Sequence, residues 1–148
     1  MHVCTTRVRY AETDQGGVAY HANYLNWFEV GRTDMLRTLG HPYAQIERDL
    51  DILLTVTEAH LLYRGPALYD ELLRIETRIT EMRKVRFRIE TRIVRAEDSE
   101  LLCDGHVWLA SVTRDGRPIP LPESLSGLLT AELLTEEGKT GPQAVVRG

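Results

Sequence analysis

The sequence predicts an α+β domain in which a curved antiparallel sheet of five strands wraps a long central helix. Three observations carry that reading. Apolar residues recur at helical spacing between Asn23 and Leu39. After Ile52 the period changes to two, the mark of strands with one buried face. The later strands have short connections, which favours an antiparallel meander over βαβ units. A chain of 148 residues suits one domain with one core.

The elements follow in order. Val3 to Tyr10 interleaves β-branched and aromatic residues with Arg7 and Arg9 and reads as a strand. In the helix, Leu25, Phe28, Met35, Leu36 and Leu39 share a face, while Asn26, Glu29, Thr33 and Arg37 fall elsewhere. Asn23 suits the N-cap, and Gly40 followed by Pro42 suits the stop. Gly31 costs that helix about 1 kcal/mol relative to Ala, which points to a close approach of another backbone. Ile52 to Tyr63 is a long strand, interrupted by Gly65-Pro66. Leu72 to Glu81 and Val85 to Val94 alternate cleanly, and the short Met82-Arg83-Lys84 connection makes them a hairpin. Glu100 to Thr113 is the next strand, and Asp115-Gly116 marks a tight turn. A short helix starts at Pro122. These elements define a domain over residues 1–134. From Thr135 to the end, polar residues, Gly and Pro without a sustained period read as a disordered C-terminal tail.

Bulk properties exclude several roles. A formal net charge of −4 argues against nucleic acid as the main partner. No apolar run approaches a membrane span, and "MHVCTTRVRYAETD" has no apolar region of a signal peptide. Cys4 and Cys103 have no CxxC spacing and read as buried thiols, which fits a cytoplasmic protein. No GxSxG is present for a serine nucleophile. His21 shares no HxxxH or HxxE spacing with His2, His41, His60 or His106, so no metal is expected.

The stretch between the first strand and the helix, "RYAETDQGGVAYHANYLNWFEVGR", holds the candidate chemistry. First-turn N–H groups of a helix lack intrahelical acceptors and carry the positive end of the dipole. A thioester or ester carbonyl placed there is polarised, and its oxyanion is stabilised. Gly16 and Gly17 permit close backbone approach. Asp14 can attack the carbonyl or serve as a base towards water. The same residues also suit an ordinary loop in which Asp14 caps a turn. Both readings stand on the residues alone.

"AETDQGGVAYHANYLNWFEVGR" resembles the signature of hotdog-fold acyl-CoA thioesterases of the 4-hydroxybenzoyl-CoA thioesterase family, nearest its YbgC branch. Tyr10, Thr13, Asp14, Gly17, Tyr20, His21, Asn23, Tyr24, Phe28, Glu29 and Arg32 carry the match. "VTEAHLLYRGPALYDELLRIET", with Pro66, Tyr69 and Asp70, and "DGRPIPLPESL" extend it to about residues 5 to 130. The resemblance implies a hotdog fold and hydrolysis of an acyl-CoA to free acid and coenzyme A. It implies Asp14 as the catalytic carboxylate and the His21 backbone N–H as the group that polarises the carbonyl. Gly17, Tyr20, Asn23 and Tyr24 would bind substrate. Coenzyme A would be part of the substrate, with no cofactor. A homodimer or homotetramer would complete each site.

The chain departs from that pattern in two places. Asp14-Gln15-Gly16 stands where many relatives have Asp-Pro or Asp-Ala, so Gly17 is the matching glycine. Val85-Arg86 stands where many relatives have a basic residue and Ser. Arg83, Lys84 and Arg86 are therefore candidates for coenzyme A phosphates by charge, with cross-strand ion pairing on a solvated face as the other reading. Two further readings stay open: a thioesterase specific for aromatic (hydroxybenzoyl or hydroxynaphthoyl) thioesters, and a non-catalytic acyl-CoA-binding module.

Overall fold

The computed structural model of the protein describes residues 1–140. Its elements are β1 (His2–Arg7), a 3-10 turn (Tyr10–Glu12), α1 (Asn23–Thr38), α2 (Tyr43–Leu50), β2 (Leu53–Tyr63), β3 (Leu72–Met82), β4 (Arg86–Arg95), β5 (Leu101–Val112) and α3 (Glu123–Thr140). The strands form one antiparallel sheet in the order β1-β3-β4-β5-β2.

The α+β class and the five strands stand, but the curved sheet wrapped around a helix is corrected. The sheet is open, neither closed nor strongly curled, and β1 and β2 are its edges. The meander is also narrower than expected. Only β3-β4-β5 run consecutively, while β2 crosses to pair with β5. Alternating residues specify which face of a strand is buried. They specify neither the bending of the sheet nor which edge a strand joins.

The inner face carries aligned apolar rows: Ile75, Ile93 and Cys103 in one, Ile79, Ile89 and Val107 in another. α1 lies on this face. A methyl group added at Gly31 would sit 2.5 Å from Thr77 Oγ1 and 2.6 Å from Ile75 Cγ2. Gly31 is thus needed for contact with β3 side chains, not with another backbone. The buried stripe of α1 is Tyr24, Trp27, Phe28, Gly31, Met35 and Leu36. Leu25, expected inside, is 44% exposed. It lies about 100° around the helix from Tyr24, which takes the inward position.

Smaller differences concern ends and one missed element. The first strand stops at Arg7. Ala22, not Asn23, is the N-cap of α1, and no side chain caps it. Pro42, read as a stop, also opens α2, whose Ile46 is fully buried. α3 runs on to Thr140, past the point where an unstructured tail was expected. The rest of that expected tail lies outside the described residues.

Candidate active site

The segment from Arg9 to Tyr24 is held as a small hairpin leading into α1. Thr13 pairs with Ala19, and the Asp14 N–H donates to the Val18 carbonyl at 2.9 Å. The turn closes through Gly17 N–H to Asp14 O at 3.1 Å, with Gly17 at φ 78°. That positive φ favours glycine over any residue with a side chain. Neighbouring elements clamp the hairpin: Val18 bridges Leu68, and Ala19 N–H donates to Ala67 O at 2.8 Å.

Glu12 organises the base of the hairpin and was not picked out from the sequence. It is buried at 8% exposure. Its Oε1 accepts the Arg9 N–H at 2.8 Å, and its Oε2 accepts the Trp27 Nε1–H at 3.0 Å. Its carbonyl accepts both the Tyr20 N–H and the Asn23 side-chain amide at 2.8 Å. One carboxylate therefore ties the loop to the first turns of α1. Its partner Trp27 is fifteen residues away in the chain, so local spacing gives no sign of it.

The start of α1 presents unspent donors. Tyr20 O accepts the Asn23 N–H at 2.9 Å, and His21 O accepts the Tyr63 hydroxyl at 3.1 Å. A trans peptide points its N–H opposite to its C=O. Fixing these two carbonyls therefore turns the N–H groups of His21 and Ala22 away from the helix. Among the described residues neither N–H has an acceptor. They lie at the positive end of a 16-residue helix.

Asp14 is exposed and lines an open cleft of about 540 Å³ with Tyr10, Thr13, Gln15, Gly17 and Tyr69. Its Oδ1 accepts the Gly16 N–H at 2.7 Å, so the turn-capping use of Asp14 is realised. Its Oδ2 makes no hydrogen bond with the described residues, which leaves one oxygen for chemistry. Tyr69 closes the cleft edge-on to Tyr10, with ring centroids 5.8 Å apart.

The other expected residues divide into groups. Tyr20 and His21 are exposed, with ring centroids 4.5 Å apart, and Tyr63 stands 6.2 Å from His21. Asn23 is spent on Glu12. Tyr24 is buried, and its hydroxyl accepts the Ala67 N–H at 3.2 Å. Burial pushes its phenol above the usual range. The cleft around Asp14 includes Gly17 but not these four residues.

Arg83, Lys84 and Arg86 lie at the opposite end of the sheet. β3 runs its 11 residues between the two ends, about 35 Å at a strand's rise. Arg83 pairs with Glu81, and the Arg86 guanidinium sits 4.4 Å from the Trp108 ring. Lys84 is exposed, and its carbonyl accepts the Leu121 N–H at 2.9 Å. One chain does not bring these cations to Asp14.

Neither thiol is activated. Burial, helped by Asp34, pushes Cys4 up; burial, helped by Asp104, pushes Cys103 up to about 12.

Comparison with known proteins gives this geometry a family. A model described as the thioesterase-like superfamily matches residues 8–129. The chain belongs to the thioesterase-like superfamily. It is a hotdog-fold thioester hydrolase related to YbgC-type proteins. The Acyl-CoA thioester hydrolase YbgC of Escherichia coli is 38% identical to this thioesterase over 124 residues, 80% of this chain and 88% of that protein. YneP of Bacillus subtilis is 43% identical over 83 residues, 55% of this chain; that match spans 59% of YneP's own length. Among solved structures, the DHNA-CoA thioesterase of Staphylococcus aureus superposes with a TM-score of 0.84 at 31% identity. The match covers 93% of this thioesterase and 94% of that chain. No helix among the described residues is long and apolar enough to cross a membrane.

Proposed function

We propose that this thioesterase hydrolyses acyl-CoA thioesters, with Asp14 as the reacting carboxylate and the N–H groups of His21 and Ala22 holding the thioester oxygen. The supporting observation is the pair of fixed, acceptor-free N–H groups at the start of α1, next to a hairpin that displays one uncommitted oxygen of Asp14. Charge develops on the carbonyl oxygen during attack, and preorganised donors at that point lower the barrier. Water and the thioester give a carboxylic acid and the coenzyme A thiol. As a nucleophile Asp14 forms a mixed anhydride that water then opens. As a base it takes a proton from the attacking water. Glu12 is a positioning residue, since it acts through the loop and Trp27.

The site is completed by a second subunit in this reading. β2 is an edge strand of 11 residues with Val56, Leu62 and Tyr63 exposed. Such an edge is a template for pairing. Two-fold antiparallel pairing of β2 would set the Leu53 end of one copy beside Tyr63 of the other. That end carries the β3–β4 hairpin, so Arg83, Lys84 and Arg86 of the second subunit would approach the cleft and hold coenzyme A phosphates. The protein works in the cytoplasm in this reading.

A narrower substrate, an aromatic acyl group, is favoured by one feature. Tyr20, His21 and Tyr63 gather rings beside the free N–H groups. Acetyl-, octanoyl- and benzoyl-CoA compared by kcat/KM test this, with benzoyl expected highest on the aromatic reading. Asp14→Ala is expected to lower kcat at least about 100-fold, the scale of a lost base or nucleophile. Activity on none of the three by wild type ends the acyl-CoA proposal. Oxygen-18 from labelled water found in Asp14 after a single turnover identifies the nucleophile. Label in the product acid alone fits the base, or an anhydride that water opens at its acyl carbon; trapping Asp14 as a hydroxamate with hydroxylamine separates the two.

A further inference from the structure

His2 and Cys4 are two residues apart on β1, so their side chains leave the same face of that edge strand. This face meets α1 at Asp34. His2 Nε2 lies 2.7 Å from Asp34 Oδ2. One donor atom from each of His2, Cys4 and Asp34 lies within 4.8 Å of the other two, and all three residues are half-buried. A hydrogen bond between His2 and Asp34 needs no sulfur, yet the Cys4 thiol turns into the same space. We propose that His2, Cys4 and Asp34 form a zinc site that fastens the edge strand β1 to α1, with water as the fourth ligand.

The donor set carries the choice of ion. One thiolate, one imidazole and one carboxylate suit zinc, whereas magnesium and calcium require oxygen donors. Tetrahedral zinc with such ligands sets neighbouring donor atoms about 3.4–3.7 Å apart. The His2–Asp34 contact therefore opens by less than about 1 Å as the ion enters. The cation displaces the Cys4 proton on binding. Arg37 already holds the other oxygen of Asp34 at 3.1 Å. That orients the carboxylate and leaves Oδ2 towards the site. Asp34 is eleven residues beyond Asn23 in α1, about 16 Å along the helix axis. The site is thus separate from the proposed hydrolytic machinery.

The test uses tag-free full-length protein, stripped with EDTA and titrated with zinc chloride or cobalt chloride. The expected result is one ion per chain. Cobalt should give a tetrahedral visible spectrum with a thiolate charge-transfer band, and zinc should raise Tm. Cys4→Ser should abolish the charge-transfer band, and Cys4→Ser, His2→Gln and Asp34→Asn should each weaken zinc at least about tenfold. The kcat of Cys4→Ser should equal that of wild type. Zinc should also protect Cys4 of the wild type from iodoacetamide, a readout that needs no variant to fold. No stoichiometric uptake overturns the proposal. So does uptake that is unchanged in Cys4→Ser and His2→Gln, which would mark adventitious binding at other histidines, and so does alkylation of Cys4 at the same rate with and without zinc.

Discussion

Two polar regions of this thioesterase look alike in sequence and differ in what the fold leaves unspent. The hairpin before α1 and the tip between β3 and β4 are both short turns rich in charged or polar residues. At the tip, Arg83 is taken by Glu81, and Arg86 lies against Trp108. Before α1 the fold spends Glu12, Asn23 and two carbonyls on orientation, and leaves two N–H groups and one Asp14 oxygen free. In the proposed mechanism, groups that the fold has fixed but not satisfied carry the chemistry, and the charged tip serves binding only.

The strongest way to break this contrast is to cut the ties that fix the loop. Glu12→Ala leaves the buried Trp27 Nε1–H and the Arg9 N–H without acceptors. Thermal unfolding should report a loss of about 2 kcal/mol. Because the loop is released, kcat should fall about tenfold or more, within the range for a misplaced catalytic group. Glu12→Gln keeps one acceptor and should recover part of both. Unchanged kcat in a destabilised Glu12→Ala would remove Glu12 as a positioning residue.

Next comes the seat of the helix. Gly31→Ala gains about 1 kcal/mol of helix propensity, but its methyl group meets Thr77 and Ile75 closer than real contacts allow. Overpacking costs about 1–3 kcal/mol, so chemical denaturation should show net destabilisation. Thr77→Ala removes the nearest clashing atom, and the double variant should regain stability. A Gly31→Ala protein more stable than wild type would refute this packing.

At the tip, Arg83→Ala and Arg86→Ala together should raise KM for acyl-CoA several-fold while leaving kcat within about threefold, as for lost phosphate contacts. The smallest effect concerns His106 on the outer face. Burial, then Arg88 and the stacked His60, lower its pKa below the usual 6.5. A group with a lowered folded pKa adds stability above its unfolded value, and that stability is lost as pH falls through the folded value. Glu58 and Glu90 oppose the shift, so the effect is modest. Wild type should lose stability relative to His106→Gln as pH drops below about 6.5. Parallel stability–pH curves would contradict it.

Much of this was legible in the sequence for a physical reason. The change from helical period to alternation marked α1 and the β3–β4 hairpin, because both are local patterns. The signature around Asp14 and His21 marked the family and the loop. What the sequence hid depends on partners far along the chain. Glu12 meets Trp27 only once α1 has packed. β2 meets β5 across some fifty residues, so its place at the edge has no local sign. α2 is eight residues long, too short to show a period. Leu25 was misplaced because Tyr24 and Trp27, amphipathic residues, hold the inward stripe.

The most direct test sets the two regions side by side in one assay. It measures single-turnover kcat on the best acyl-CoA of the panel for wild type, Asp14→Asn, and the Arg83→Ala, Arg86→Ala double variant, each shown by circular dichroism to be folded. Asp14→Asn should be slower by at least about 100-fold. The double variant should stay within about threefold of wild type, because its cations do not touch the reacting bond. An Asp14→Asn enzyme as fast as wild type would contradict the proposed role of Asp14.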